Sequence, residues 1–210
     1  MEADAEEKLK TGEFLPIMED FYTVQGEGHH TGSSAYFIRI GGCDVGCHWC
    51  DVKESWNAAL HPLTDIRKVI VRATSFPART VVLTGGEPTG YQLTKITESL
   101  RSEGFSIHLE TAGSYELTGK FDWICLSPKK TVPPLPAIYL MANELKVIVY
   151  NHNDLLWAEK QADSVSSTCL LYLQPEWGKR DEIMPLIIDF VKNHPKWKVS
   201  LQSHKYMHIP

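Results

Sequence analysis

The sequence predicts an α/β fold with a mostly parallel sheet, either open or closed into a β/α barrel. Short runs rich in β-branched and aromatic residues alternate with helical patterns along most of the 210 residues. Polar or glycine-containing clusters follow the runs in turn. In a parallel β/α barrel such clusters lie on the face at the carboxyl ends of the strands, where loops build active sites.

Seven strands are predicted, in residues 35–40, 80–83, 106–109, 123–126, 145–149, 170–173 and 198–201. Helices are predicted where apolar residues recur at a helical period, at Leu93, Ile96 and Leu100 and again at Ile183, Ile187, Phe190 and Val191. A further helix is predicted from a cap at Asn153 or Asp154 to about Ala162. Four prolines in residues 127–136 predict a loop.

Composition and charge limit the classes of function. A chain that is 43% hydrophobic and 22% charged is ordinary for a globular protein, so residues 14–210 are expected to form a single domain after an acidic extension of residues 1–13. The net charge of −5 disfavours nucleic-acid binding. No apolar run is long enough to span a membrane, and the acidic first residues do not resemble a signal peptide, which predicts a cytoplasmic protein.

The five cysteines are distributed as in a metal site. Cys43, Cys47 and Cys50 lie within eight residues, whereas Cys125 and Cys169 stand alone in apolar runs. An odd, clustered set is a poor disulfide framework, so we expect the isolated pair to be buried strand residues.

Three thiolates from one glycine-containing loop suit an iron–sulfur cluster. A [4Fe–4S] cluster with three cysteine ligands keeps one iron open for another ligand. The alternative is a zinc site completed by His48, because structural zinc takes four protein ligands. His48 lies between Cys47 and Cys50, where it is poorly placed to reach the same metal.

The spacing C-x3-C-x-Φ-C, with Trp49 at the aromatic position, resembles the signature of the radical S-adenosylmethionine (SAM) superfamily. The resemblance implies a modified, incomplete parallel β/α (TIM-like) barrel with a [4Fe–4S] cluster on Cys43, Cys47 and Cys50. It also implies that SAM binds the open iron and is cleaved to a 5′-deoxyadenosyl radical. The protein then supplies orientation and exclusion of water.

Other clusters at strand ends match the superfamily's SAM-binding elements. The run from Thr84 to Pro88 reads T-G-G-E-P, in which two glycines allow the main chain to approach a ligand. The resemblance implies SAM contacts from Trp49, Cys50, Asp51, Gly85, Gly86, Glu87, Ser127, Pro128, Lys129 and Gln174.

The segment upstream of the cysteines suggests the substrate. The run V-Q-G-E-G at residues 24–28 offers an amide and a carboxylate that can read a guanine-like edge. Arg39 is placed on a strand that leads to the cysteine loop, where a guanidinium could bind a substrate carboxylate. The alternative for Arg39 is a structural ion pair with Glu27 or Asp44.

Together with F-I-R-I-G-G-C, E-T-A-G, S-P-K, L-K-V and S-H-K-Y-M, these runs resemble the 7-carboxy-7-deazaguanine synthase family of queuosine and deazapurine biosynthesis. The resemblance implies contraction of 6-carboxy-5,6,7,8-tetrahydropterin to 7-carboxy-7-deazaguanine with loss of ammonia, SAM being used catalytically. It implies substrate contacts from Val24, Gln25, Gly26, Glu27, Arg39, Thr84, His204 and Pro210. It also implies a homodimer and an electron donor such as flavodoxin or ferredoxin.

One position departs from that family's pattern. A threonine commonly follows Cys-Asp in the cysteine loop, and its hydroxyl is associated with bound Mg²⁺, whereas this chain has Val52. Valine has no ligand oxygen, which puts Mg²⁺ as a cofactor in doubt. We hypothesise that the ammonium of Lys53 supplies part of the missing positive charge.

Two other functions are compatible with three cysteines. A glycyl-radical-enzyme activase is also a short radical SAM protein, but it acts on a protein partner through an open groove. A regulatory iron–sulfur or zinc module would have no turnover. Neither alternative accounts for the V-Q-G-E-G run.

Overall fold

The computed structural model describes the backbone of residues 2–210 and the side chains of residues 7–210. One mixed sheet contains β1 (Phe14–Val24), β2 (Ser34–Ile40), β3 (Leu63–Asp65), β4 (Thr80–Gly85), β5 (Ser106–Thr111), β6 (Trp123–Leu126), β7 (Glu144–Val149), β8 (Leu170–Pro175) and β9 (Trp197–Val199). The helices are α1 (Glu2–Thr11), α2 (Ile66–Thr74), α3 (Thr94–Ser102), α4 (Pro136–Met141), α5 (Asn153–Ala162), α6 (Arg180–Asn193) and α7 (Ser203–Met207).

The strand order is β3-β1-β2-β4-β5-β6-β7-β8-β9, and every neighbouring pair from β2 to β9 is parallel. Helices α2 to α6 fall in the connections between these strands. Among the described residues β3 and β9 are the two edges of the sheet and do not pair with each other. The predicted parallel β/α fold is therefore confirmed as a barrel that remains incomplete.

Alternation along each strand separates the core from the barrel interior. In β7, Leu145 and Val147 pack into an apolar cluster beneath the helices, whereas Lys146 faces the interior. The same alternation in β4 sends Leu83 to the core and Thr84 to the interior. The helices thus cover the outer face, and polar side chains line the inside.

The antiparallel hairpin at the start of the fold, β1 with β2, was not predicted from the sequence. Strand β1 pairs with β2 in antiparallel register, and the register shifts between Ile17 and Glu19. Pro16 and the acidic pair Glu19 and Asp20 interrupt its apolar pattern, so a period of two is not visible in the sequence. The three-residue strand β3 gives no period at all.

The loop between β1 and β2, residues 25–33, lies inside the barrel and contacts the chain that follows β9 at the open edge. The carbonyl oxygen of Gly26 accepts hydrogen bonds at 2.9 Å from both the main-chain N–H and the hydroxyl of Ser203. The N–H of Gly28 donates to Oγ of Ser200 at 2.9 Å. This segment therefore joins the first hairpin to the residues after β9, and it is called the substrate loop below because the predicted substrate contacts Gln25, Gly26 and Glu27 lie in it.

Most predicted elements match the structure, with differences at their ends. The last strand comprises Trp197–Val199 rather than residues 198–201, and Cys125 and Cys169 are buried as expected. Helix α5 has the predicted length, but His152 is its N-cap, and the carboxylate of Asp154 accepts instead from main-chain N–H groups before the helix.

Residues 2–11 of the predicted extension form α1, and the division at residue 13 stays a prediction. Within residues 2–210, no helix combines the length and the apolarity needed to cross a lipid bilayer.

Candidate active site

A cavity of about 380 Å³ opens at the carboxyl ends of the parallel strands. This volume is in the range of sites that enclose small ligands. All of the predicted site residues except Glu87 and Pro128 line it, namely Val24, Gln25, Gly26, Glu27, Arg39, Cys43, Cys47, Trp49, Cys50, Asp51, Thr84, Gly85, Gly86, Ser127, Lys129, Gln174, His204 and Pro210. The structure therefore brings together residues that are spread over most of the chain, while their individual roles stay predictions.

The cysteine loop is held by main-chain hydrogen bonds from both sides. The N–H of Gly42 donates to the carbonyl of Ser55 at 2.6 Å, and that of Cys43 donates to Trp56 at 3.1 Å. On the other side, the N–H of Glu87 donates to the carbonyl of Gly42 at 2.8 Å. The loop is thus fixed against the T-G-G-E-P turn before any ligand binds.

Glycine is required where this turn meets the cysteine loop. A Cβ on Gly86 would lie 2.3 Å from the carbonyl oxygen of Gly42 and 2.8 Å from Cβ of Cys43. Gly85 has a φ of +148°, which side chains rarely adopt. Any larger residue would push the two loops apart and displace the thiols.

The three thiols fit an iron–sulfur cluster. Cys43, Cys47 and Cys50 are free, half-buried and on the same cavity wall. Burial raises the pKa of the Cys43 and Cys47 thiols, and the Lys129 ammonium partly opposes this at Cys47. Thiols of this kind need a metal to hold them as thiolates near neutral pH, because coordination deprotonates a thiol.

The zinc alternative does not fit. His48 is not on the cavity wall and packs edge-on against the rings of Trp49 and Tyr150, at centroid distances of 6.3 and 5.1 Å. Among the described side chains, no three His, Cys, Asp or Glu groups converge on one position suited to a metal ion. Thiolates that bind three different irons of a cube need not converge in this way, whereas zinc ligands must.

Glu87 is placed differently from the other predicted SAM-binding residues. It is only 2% exposed, and its carboxylate accepts hydrogen bonds from Thr89, Thr111 and Ala112 at 2.6 to 3.1 Å. These bonds occupy the carboxylate within the protein and hold the turn between β4 and α3. Pro128 is also buried and off the cavity wall.

Lys129 supplies a half-buried cation near the cysteine loop. Its ammonium donates to the carbonyl of Ser127 at 2.5 Å and to the hydroxyl of Ser127 at 2.7 Å. It lies 5.5 Å from the ring centroid of Trp49, within cation–π range. Burial lowers the pKa of Lys129, while the Cys47 thiolate raises it.

Glu110 connects two of the predicted substrate contacts, and the sequence analysis did not assign it. Its carboxylate accepts from Nε2 of Gln25 at 2.9 Å and from the hydroxyl of Thr84 at 3.4 Å. Its position in the E-T-A-G run at the end of β5 was a usable signal. These bonds place an amide, a hydroxyl and a carboxylate on one patch of the wall.

Glu27 forms a buried ion pair with Lys146. Lys146, like Glu110, was not predicted as a site residue. The side chains are 16% and 5% exposed, and Nε2 of Gln202 also donates to Glu27 at 2.9 Å. Burial raises the pKa of Glu27, but the Lys146 charge and these hydrogen bonds outweigh it and lower the pKa to about 2. A lysine that interrupts an apolar strand was the available signal.

Arg39 lines the cavity, but neither alternative partner was correct. Its Nε donates to Oε1 of Glu19 at 2.7 Å, rather than to Glu27 or Asp44. Asp44 instead accepts from the hydroxyl of Tyr115. This bond uses Nε, so the two terminal nitrogens of the guanidinium remain available to an anion bound in the cavity.

The residues after β9 complete the cavity wall and contact the cysteine loop at Asp51. Oδ2 of Asp51 accepts from Lys205 at 2.8 Å and from Gln202 at 3.2 Å. The ring of His204 packs against Gly26 so closely that a Cβ there would lie 2.2 Å from Nδ1. Burial lowers the pKa of His204, which favours a neutral imidazole.

The cavity does not fit the family's magnesium site. Val52 stands on the wall and its side chain offers no oxygen, and Oδ2 of Asp51 already accepts from Lys205 and Gln202. The Lys53 hypothesis is not supported either, because Lys53 is exposed, off the wall and 5.9 Å from the ring centroid of Trp56. The cation that does reach this part of the wall is Lys205.

Comparisons with known proteins agree with this geometry. Residues 37–121 match the model of the radical SAM superfamily. The chain is 56% identical to a 7-carboxy-7-deazaguanine synthase of Flavobacterium psychrophilum, over 96% of each chain. It is 45% identical to one of Synechocystis, over 92% of this chain and 93% of the relative. The crystal structure of QueE from Escherichia coli superposes with a TM-score of 0.80 at 31% identity, covering 94% of this chain and 98% of that one.

Proposed function

The chain belongs to the 7-carboxy-7-deazaguanine synthase family of the radical SAM superfamily, and we propose that its cavity converts 6-carboxy-5,6,7,8-tetrahydropterin to 7-carboxy-7-deazaguanine with release of ammonia. One observation carries the proposal. The three-cysteine loop and a set of hydrogen-bonding side chains suited to a pterin edge line the same cavity.

The residues on the cysteine side fit a [4Fe–4S] cluster and SAM. Cys43, Cys47 and Cys50 would hold the cluster, and Trp49, Ser127 and Lys129 would hold SAM beside it. When bound, the cluster and SAM supply a 5′-deoxyadenosyl radical. The T-G-G-E-P turn keeps this side rigid, which supports orientation of both groups.

The other polar residues of the cavity wall bind and orient the pterin in this proposal. The Gln25 amide and the Glu110 carboxylate together present donors and acceptors for an amino-pyrimidinone edge. The Arg39 guanidinium would bind the substrate carboxylate through paired hydrogen bonds. Lys146 keeps Glu27 charged and in place, and the apolar rings of Phe21 and Phe37 exclude water from the same wall.

No step in this account uses Mg²⁺, because the chain lacks the oxygen ligand at Val52. Homodimer formation and reduction by flavodoxin or ferredoxin remain predictions. The substrate loop crosses the interior of the barrel and leaves a bounded cavity, which supports a small-molecule substrate over the protein substrate of a glycyl-radical-enzyme activase.

The proposal is tested with protein reconstituted anaerobically with iron and sulfide. We expect four irons and four sulfides per chain, as defined by a [4Fe–4S] cluster, and formation of 7-carboxy-7-deazaguanine from the pterin, detected by mass spectrometry. Arg39→Gln should raise KM for the pterin while leaving SAM binding unchanged. About one zinc per chain without sulfide would contradict the cofactor assignment, and SAM cleavage without the deazapurine would contradict the substrate.

A further inference from the structure

A second, much smaller cavity lies beneath the active site, at the end of the barrel where the parallel strands begin. Its volume is about 10 Å³, close to the space that one water molecule needs. Its wall includes His30 of the substrate loop, His108 of β5, Trp123 of β6 and Glu144 of β7. The active-site residues Gln25, Glu27, Glu110 and Lys146 separate it from the larger cavity, since they line both.

Glu144 fixes the substrate loop through one carboxylate oxygen. Oε2 accepts from the main-chain N–H of His29 at 3.1 Å and from Nε1 of Trp123 at 3.3 Å. Gly28 packs directly on the carboxylate, and a Cβ there would lie 2.0 Å from Oε1. Glu144 is only 2% exposed, so bulk water does not reach it.

The other oxygen has no protein partner. Within residues 7–210, neither Oε1 of Glu144 nor Nε2 of His30 makes a hydrogen bond, although both atoms are buried. Leaving such a group unpaired costs about 1–3 kcal/mol. Both residues line the small cavity, and a buried water bound to two to four polar groups is the usual solution.

The surroundings favour a neutral occupant over a cation. Burial lowers the pKa of His30, and it lowers the pKa of His108 to about 4, so both imidazoles are uncharged near neutral pH. The two rings lie 4.4 Å apart at their centroids. Glu27, Glu110 and Glu144 line the same wall, but Lys146 offsets part of their charge, and the volume suits a single water molecule. A water molecule can donate to Nε2 or accept from it, whichever tautomer His30 adopts.

We propose that one water molecule binds in this cavity between Oε1 of Glu144 and Nε2 of His30 and fastens the substrate loop to β7. Strand β7 then holds the loop at two points on its inner face, because Glu144 and Lys146 are two residues apart. Lys146 orients Glu27 in the active site, and Glu144 with its water fixes the base of the same loop. Glu144 and His30 are positioning residues in this scheme, and their effect on the pterin rests on the proposed function.

The test combines a high-resolution crystal structure with hydrogen exchange of the main-chain amides in residues 25–33. We expect ordered density within hydrogen-bond distance of both atoms. His30→Phe keeps a ring in place but removes the nitrogen, and it should speed exchange of these amides roughly fivefold, as expected for one lost hydrogen bond. Glu144→Gln keeps a group that can bind the water and should retain slow exchange.

Tyr139→Phe is the matched control, because it also removes one polar group from an aromatic side chain, but its hydroxyl donates to Gln161, away from the substrate loop and outside the small cavity. It should exchange like the unmodified protein. If the pterin is the substrate, His30→Phe should also raise its KM while SAM cleavage is unchanged.

Absence of density at the site, or equal exchange in His30→Phe and Tyr139→Phe, would overturn the proposal. Because density and exchange do not depend on turnover, they test the water site even if the pterin is not the substrate.

Discussion

Replacing Lys146 by methionine tests the buried ion pair that orients the substrate loop. Methionine keeps much of the side-chain length but removes the charge next to Glu27. Both side chains are largely buried, so water compensates poorly for the lost partner. The carboxylate must then either stay charged without a partner or take up a proton at neutral pH.

The expected loss of stability is ~3 kcal/mol at pH 7. The pair and its hydrogen bonds lower the pKa of Glu27 from 4.5 to about 2, and each pKa unit corresponds to about 1.4 kcal/mol. Breaking a buried pair by removing one partner costs roughly 3–5 kcal/mol in other proteins, which agrees. Because the pKa in the folded protein is lowered, this stabilisation is present above about pH 4.5 and is lost as the pH falls towards 2.

The assay is urea unfolding followed by tryptophan fluorescence. With a slope of roughly 2 kcal/mol per molar urea, the midpoint of Lys146→Met should fall by about 1.5 M at pH 7 and by much less at pH 3. Lys95→Met is the matched control, since Lys95 and Glu13 form an exposed pair with 44% and 57% exposed side chains. Its midpoint should not change measurably.

A double variant separates the ion pair from packing. Glu27→Gln with Lys146→Met removes both charges, so it should recover most of the stability that Lys146→Met loses. A loss below about 1 kcal/mol in Lys146→Met would refute the reasoning from burial. A double variant no more stable than Lys146→Met would show that the charge of Glu27 is not the cause.

Three further predictions concern other charged groups. Burial raises the pKa of Glu144, so its ionisation opposes folding increasingly above pH 4.5. Glu144→Gln should therefore gain stability over the unmodified protein as the pH rises. Urea unfolding at pH 5 and pH 8 measures this gain, and a gain confined to pH 5 would contradict the prediction. Lys129→Met should weaken SAM binding roughly tenfold, as expected for a lost charge-assisted hydrogen bond, in equilibrium titrations of reconstituted protein; affinity within twofold would contradict that role. Because Val52 provides no oxygen, chelating Mg²⁺ should change turnover less than about twofold, and a steep rise with added Mg²⁺ would contradict this.

The parallel part of the fold could be predicted because its strands are short and apolar and alternate with amphipathic helices. Each strand from β4 to β8 buries one face under helices, and that burial leaves a visible pattern. Strand β1 could not be predicted, since Pro16, Glu19 and Asp20 are accommodated by its pairing with β2 and β3 rather than by a regular pattern. Long-range pairing of this kind has no local signal.

The ligand-facing residues were predictable where the chemistry is concentrated in a short run. The spacing of Cys43, Cys47 and Cys50, with Trp49, resembles the radical SAM signature, and that resemblance implies the cluster. The partners of Glu27 and Arg39 were not predictable, because Lys146 and Glu19 reach them across the barrel or the hairpin. Pairing across strands depends on register, which the sequence does not show.

The most direct test of the proposed reaction is the ratio of product to SAM consumed. Reconstituted protein is incubated anaerobically with SAM, a reductant and 6-carboxytetrahydropterin, and both 7-carboxy-7-deazaguanine and 5′-deoxyadenosine are measured by mass spectrometry. If SAM is used catalytically, we expect many molecules of 7-carboxy-7-deazaguanine per SAM cleaved. SAM cleavage without that product, or no product from protein that carries a complete cluster, would contradict the proposed reaction.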